Sequence, residues 1–167
     1  DFITPKSAVS RLFRDATLEL AEHHPFARRL VNSGRLSVPC FHVGSPLSTP
    51  DHDDFSGMMF PGAPADDAPM PDGSWLLRHL GGDFTLLLFC DPDETLDDTM
   101  TALSSLSQDP VPVRVLRMQA RGTAGNRYDA RHGTAYLIRP DQHIAARWRR
   151  ADCEQVRAAV RLACGHH

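Results

Sequence analysis

The residues best suited to chemistry are Cys90 and the acidic residues after it, in the run Cys90-Asp91-Pro92-Asp93. This run resembles a Cys-x-Pro-Cys dithiol motif in which Asp93 stands where the second cysteine would be. Disulfide exchange needs that second thiol, and a carboxylate beside a thiol raises the thiol pKa. We therefore expect Cys90 to be inert. The alternative is an independent redox or peroxidase protein that uses this single thiol.

The remaining cysteines give no sign of a metal site or a disulfide framework. Their spacing matches no zinc pattern, and none forms a Cys-x-x-Cys pair. Cys153 and Cys164 fall on the apolar side of a predicted helix, and Cys40 lies in a proline-rich stretch. Buried, reduced thiols are expected, which favours a cytoplasmic location.

The histidines suggest a metal site, but their spacing does not support one. His42 and His52 lie near Asp51, Asp53 and Asp54, a mixture that could hold a divalent cation. However, no His-x-x-x-His or His-Glu-x-x-His spacing occurs, so a solvated acidic loop is favoured.

Hydrolytic and nucleotide-binding motifs are absent from the sequence. Ser45 lacks the second glycine of a Gly-x-Ser-x-Gly elbow, and residues 121–125 hold only two glycines and predict a flexible loop. Arg147, Arg149 and Arg150 surround Trp148, which indicates a solvated strand end or a domain interface. We therefore assign no catalytic, cofactor-binding or metal residue.

Composition limits the class of protein. The 167 residues are enough for about one domain, and a net charge of −3 argues against a nucleic-acid binder of the usual kind. No apolar run approaches the roughly 20 residues of a membrane span. The chain starts at Asp1 without Met and ends in Gly165-His166-His167, which resembles a tag stub at residues 166–167. We expect a piece of a longer protein.

Three regions are predicted to position these residues. Residues 1–36 are a helical lead with the apolar positions Val9, Leu12, Phe13, Ala16 and Leu20. Residues 37–73 contain seven of the 13 prolines and predict a connector that wraps over a surface. Its expected apolar anchors are Phe41, Phe55, Met58, Met59 and Phe60. Residues 74–165 predict a compact α/β domain.

The α/β domain is expected to contain four strands. A short helix from Trp75 to Leu80 precedes the first strand, and a long helix to about Ser107 follows it, with Asp91, Pro92 and Glu94 as its start signals. The strands are predicted at Phe84–Cys90, Pro112–Met118, Thr134–Arg139 and His143–Trp148, and a helix capped by Asp152 comes last. The order β-α-β then β-β-α predicts a thioredoxin-like fold. The alternative redox protein and a ligand- or protein-binding module would use this same fold.

Three phrases together resemble the C-terminal part of FAD-dependent aromatic-ring hydroxylases, in the 3-(3-hydroxyphenyl)propionate hydroxylase and phenol hydroxylase branch. The Arg139-Pro140-Asp141 hairpin is the most specific, and family members usually have Gly where this chain has Gln142. The first phrase is Phe2 to Ser7, followed by the helix Val9–Leu20 and then Pro25 to Ser37. The second lies at 44–51 with Pro61-Gly62 and Asp67-Ala68-Pro69, and the third at 135–148.

The resemblance implies a parent flavoprotein monooxygenase that hydroxylates phenols with FAD, NAD(P)H and O2. The motifs that bind FAD belong to its N-terminal flavin domain, and residues 1–36 would be the helical tail of that domain. Residues 74–165 would be a non-catalytic thioredoxin-like domain that packs against the flavin domain and contributes homodimer contacts. No cofactor is expected in this fragment, and neither nucleic acid nor membrane is an expected partner.

Overall fold

The computed structural model describes residues 4–31, 39–91, 93 and 97–166. The chain forms two compact units that divide between Pro39 and Cys40. The first unit contains helix α1, Ala8–His23, and helix α2, Pro25–Val31. The Ser7 side chain accepts a hydrogen bond from the Ser10 N–H at 3.0 Å, which confirms Ser7 as the predicted cap of α1.

The apolar stripe of α1 is exposed. Val9, Leu12 and Phe13 are 77%, 72% and 65% exposed. Thr17 is the only buried residue of this helix, and its hydroxyl donates to the Phe13 carbonyl within the helix. The periodic pattern was therefore correct as a helix signal, and the side chains of its apolar stripe are largely exposed.

The second unit contains a four-stranded sheet in the order β2-β1-β3-β4. Strand β1 pairs parallel with β2, while β3 is antiparallel to both β1 and β4. The strands are β1, Phe84–Cys90; β2, Val113–Gln119; β3, Ala135–Ile138; and β4, Ile144–Trp148. The predicted α/β class and the order β-α-β then β-β-α are confirmed, and the name thioredoxin-like stays a prediction.

Helices and turns connect these strands. Helix α3, Asp97–Ser104, continues into a 3₁₀ turn, Ser105–Gln108, and helix α5, Cys153–Ala163, closes the unit. Asp152 and Gln155 form the predicted capping box at the start of α5. The signals at Pro92 and Glu94 lie outside the described residues.

The expected short helix from Trp75 to Leu80 is present as a 3₁₀ helix, Leu76–His79, but one predicted local structure is wrong. The expected loop at 121–125 is part of helix α4, Gly122–Arg127, which follows β2 almost directly. A Cβ at Gly125 would come within 1.7 Å of the Ala120 carbonyl oxygen, so the close approach of α4 to the end of β2 requires glycine at this position.

Each face of the sheet packs against a different layer. One face buries Leu87, Phe89 and Tyr136 beneath residues of the connector. The opposite face buries Leu86, Leu88 and residues of α3 and α5. Strand β1 is therefore buried along its whole length, as its continuous apolar run predicts.

The connector, described from residue 40 to 73, lies in the same compact unit as the sheet and pairs with the β4 edge. The Thr49 N–H donates to the Ala145 carbonyl at 2.8 Å, and the Gly62 N–H donates to the Ile144 carbonyl at 2.7 Å. Among the predicted anchors, Met59 is buried and Phe55 and Phe60 pack on the core. Phe41 and Met58 are wrong as anchors, since they are 41% and 60% exposed.

The turn between β3 and β4 places a residue with a left-handed backbone at position 142. Its closing bond runs from the Gln142 N–H to the Arg139 carbonyl at 2.9 Å, with Pro140 and Asp141 at the turn centre as predicted. Gln142 itself has φ 67°, a left-handed conformation that favours glycine.

None of the described helices has the length and apolar character needed to cross a bilayer.

Candidate functional site

The end of strand β1 places the predicted thiol in a closed, ion-paired environment. Cys90 is 6% exposed, and its Sγ donates to the Leu88 carbonyl at 3.7 Å. Where a second thiol would stand, Asp93 lies 3.7 Å from Arg121, whose Nε is 3.1 Å from Asp91. The end of β1 therefore carries a buried sulfur, followed directly in sequence by carboxylates in a surface ion pair.

The segment before β3 holds this end of β1 in place. The Gly133 N–H donates to the Phe89 carbonyl at 2.9 Å, and the Phe89 N–H donates to the Thr134 carbonyl at 2.8 Å. The His132 Nδ1 accepts from the Asp91 N–H at 3.2 Å. These backbone bonds make the site a continuation of the sheet.

All four cysteines are free thiols, but their burial differs from the prediction. Cys90 is buried as expected, and Cys153 is half-buried with its Sγ 3.3 Å from the Ala102 carbonyl. Cys40 and Cys164 are exposed, so the prediction of buried thiols is wrong for them. Cys164 is the C-terminal cap of α5, directly after the last helical residue, Ala163.

A bidentate ion pair joins the connector to β4. Arg147 donates from Nε and Nη2 to the two carboxylate oxygens of Asp51, at 2.9 and 2.6 Å, and from Nη1 to the Met59 carbonyl at 2.9 Å. The Arg147 side chain is only 5% exposed. Burial opposes its charge, but the pairing with Asp51 outweighs burial and raises the pKa of Arg147.

Arg149, two residues after Arg147 and just beyond the end of β4, makes a second set of contacts. Its backbone N–H donates to Asp53 at 2.8 Å, and its guanidinium contacts the Asp54 carbonyl and the Asp129 carboxylate at 2.8 and 2.5 Å. Burial opposes the charge of Asp129, but hydrogen bonds from Ser56 and Arg149 prevail and lower the pKa of Asp129. Both guanidiniums lie over the ring of Phe55, with the Cζ atoms of Arg147 and Arg149 at 4.4 and 3.8 Å from the ring centroid.

These contacts correct one expectation and add to another. Arg147 and Arg149 are not a solvated strand end or an interface with another domain, because they bind the connector of their own unit. The acidic residues 51–54 form an exposed loop as expected, but Asp51 and Asp53 also accept hydrogen bonds from these arginines. In the described ranges, no three His, Cys, Asp or Glu side chains gather as metal ligands.

A buried tyrosine pair lies beneath the connector. The Tyr128 hydroxyl donates to the Asp66 carbonyl at 2.6 Å, and the Tyr136 hydroxyl donates to the Tyr128 carbonyl at 2.5 Å. Their rings meet edge to face with centroids 5.1 Å apart. Burial raises the pKa of Tyr136 to about 12 and also raises the pKa of Tyr128. Tyr136 lies in the predicted third strand and in the phrase at 135–148, but no sequence signal linked it to Tyr128.

Comparison with known proteins gives the chain a family. Residues 54–166 match the model described as "Aromatic-ring hydroxylase, C-terminal". No curated protein matches the chain in sequence.

Solved structures share the fold at low sequence identity. RebC with bound 7-carboxy-K252c is 22% identical with a TM-score of 0.56, over 100% of this chain and 31% of that one. The RebC-10x complex with the same compound is 20% identical with a TM-score of 0.59, over 97% and 29%. Aklavinone-11 hydroxylase with FAD and aklavinone is 21% identical with a TM-score of 0.56, over 75% and 26%.

This chain thus spans about a third or less of the length of the solved proteins it resembles. The resemblance drawn from the sequence phrases is confirmed by the family match, which covers most of the connector and the whole sheet. The chain belongs to the aromatic-ring hydroxylase family and corresponds to its C-terminal domain.

Proposed function

We propose that this chain is the non-catalytic, thioredoxin-like C-terminal domain of an FAD-dependent monooxygenase that hydroxylates phenolic substrates with NAD(P)H and O2. Its role is structural: it packs against the N-terminal flavin domain and contributes homodimer contacts in the cytoplasm. The observation that carries the proposal is the match of residues 54–166 to the C-terminal family. FAD in the parent is supported by the solved relatives that bind it, such as aklavinone-11 hydroxylase.

The end of β1 supports the non-catalytic part of the proposal. A dithiol enzyme keeps its attacking sulfur accessible and places a resolving thiol beside it. Here the sulfur of Cys90 is buried, and the acidic residues after it are bridged by Arg121. That arrangement covers the sulfur at the end of this interior strand, which suits a packing role.

Helix α1 supports a partner surface. Its apolar residues Val9, Leu12 and Phe13 are all more than half exposed, and exposed apolar stripes of this kind mark interaction sites. We assign this face to the flavin domain, as the tail that residues 1–36 would form.

The coding sequence upstream of Asp1 tests the parentage. A strand–helix unit with Gly-x-Gly-x-x-Gly about 350–400 residues earlier is the expected finding. A different upstream domain, with no nucleotide-binding unit, would contradict the proposed parent.

The alternative, a one-cysteine redox protein, depends on Cys90. A variant with Cys40, Cys153 and Cys164 replaced by serine leaves Cys90 as its sole thiol. Titration of this variant with a thiol reagent across pH should show no reaction with the folded protein near neutrality. Rapid reaction with a thiol pKa below about 7 would favour the redox alternative.

A further inference from the structure

A basic pocket lies on the second unit, beside the Arg149 contacts described above. It is formed by the middle of the connector, the segment before β3, the segment after β4 and the first turn of α5. The pocket has a volume of about 410 Å³ and is lined by Arg131, Arg149 and Arg150 together with His52, Asp53, His132 and Gln155.

The charges of this pocket do not balance. Arg149 is paired with Asp129 at 2.5 Å, and the Asp53 carboxylate accepts the Arg149 backbone N–H at 2.8 Å. Arg131 and Arg150 are exposed, and within the described part of the chain neither guanidinium has a hydrogen-bond or ion-pair partner. One carboxylate therefore faces two unpaired guanidiniums, although the whole chain has a net charge of −3.

The pocket also offers room and a neutral donor. Gly133 lies beside it, and a Cβ there would be 3.7 Å from the Arg150 side chain, so the glycine adds no bulk to the wall. The Gln155 side-chain oxygen accepts from the Asp152 N–H at 3.0 Å, which orients the amide and leaves its NH2 group as a donor.

We propose that this pocket binds a small phosphorylated molecule through its phosphate group. Planar guanidiniums match phosphate oxygens in pairs, and a dianion would remove the repulsion between the two unpaired arginines. The volume exceeds that of phosphate alone, so an organic group attached to the phosphate also fits. The site requires neither FAD nor the flavin domain, so it stands independently of the proposed parent enzyme.

The test is a titration of the 167-residue chain at constant ionic strength, followed by amide NMR, with inorganic phosphate, pyrophosphate and adenosine monophosphate as probes. Saturable shifts at Arg131, Arg150 and Gln155 are expected with each phosphate probe. The double variant R131Q/R150Q should bind about tenfold or more weakly, because charge-assisted contacts dominate such sites. The matched control R78Q/R117Q removes the same charge from two exposed arginines outside the pocket and should bind as the parent chain does.

Several outcomes would overturn the proposal. Equal weakening in both double variants would mean that only the overall charge matters. Linear, unsaturable shifts would also contradict a site. A glutamate-rich peptide added as a further probe should bind no better than phosphate does, and binding of that peptide without any response to phosphate would contradict a phosphate site. Circular dichroism melts check the variants, and the four unpaired arginines should be replaceable without loss of the fold.

Discussion

Replacing Arg147 tests how the connector is attached to the sheet. Arg147→Gln removes both bonds to Asp51 and the bond to the Met59 carbonyl, and it takes one of the two cations away from the Phe55 ring. The Asp51 carboxylate then stays at the edge of β4 without its cation.

The expected cost follows from the burial of each partner. Breaking a buried ion pair by removing one partner costs about 3–5 kcal/mol. The Asp51 side chain is 32% exposed, so water recovers part of its solvation after the change. We therefore expect a loss of roughly 2–3 kcal/mol in the free energy of unfolding. For a unit of this size the melting temperature should fall by roughly 6–12 °C.

Urea and thermal unfolding measure this loss, with Arg117→Gln as the matched control. Arg117 is exposed on β2, so its replacement should change stability by less than about 0.5 kcal/mol. A double-mutant cycle with Asp51→Asn adds the coupling, and the double variant should be more stable than the sum of the two single losses predicts. A loss below about 1 kcal/mol for Arg147→Gln, or strictly additive losses in the cycle, would refute the attachment of the connector through Arg147 and Asp51.

Three further predictions concern other parts of the second unit. Gly125→Ala should destabilise the fold by about 2 kcal/mol or more, because its Cβ would meet the Ala120 carbonyl; Thr123→Ala in the same helix is the control, and equal melting temperatures would contradict the close approach. The pKa of Asp129 is lowered from 3.8, so its contribution to stability is complete above that pH and is lost as the pH falls below it; melts across acidic pH should show this loss, and Asp129→Asn should reduce it. Burial raises the pKa of Tyr136 to about 12, so stability gained from its neutral form is complete below pH 10.0 and declines above it; tyrosinate absorbance that appears near pH 10.0 in the folded chain would be evidence against this burial.

Most of the architecture could be predicted because it follows from local patterns. The continuous apolar run at 84–90 is typical of a strand buried on both faces. The turn at Pro140-Asp141 marks the hairpin that joins β3 to β4. The capping box at Asp152 likewise marks α5 without any tertiary information. The expected element order therefore agreed with the structure.

The errors arise where distant residues decide the structure. Helix α4 has a glycine-rich sequence that predicts a loop, yet it is helical, and Gly125 packs closely on the backbone of Ala120. The acidic connector has the composition of a solvated loop, yet Arg147 lies 96 positions away from Asp51 and neutralises it. No local period links those two residues, so the contact could not be predicted from either segment.

The burial of individual side chains was also beyond local reasoning. Met58 and Met59 are adjacent and chemically identical, but one is 60% exposed and the other is 5% exposed. Which of them faces the sheet depends on the path of the connector, and that path is set by backbone bonds to β4.

The central claim is that this chain is a packing domain that does not itself hold the flavin. The most direct measurement is a titration of the purified chain with FAD, followed by visible absorbance and gel filtration. We expect the mixture to show the spectrum of free FAD and the protein peak to contain no flavin. Flavin retained in a one-to-one complex at micromolar affinity would contradict the account.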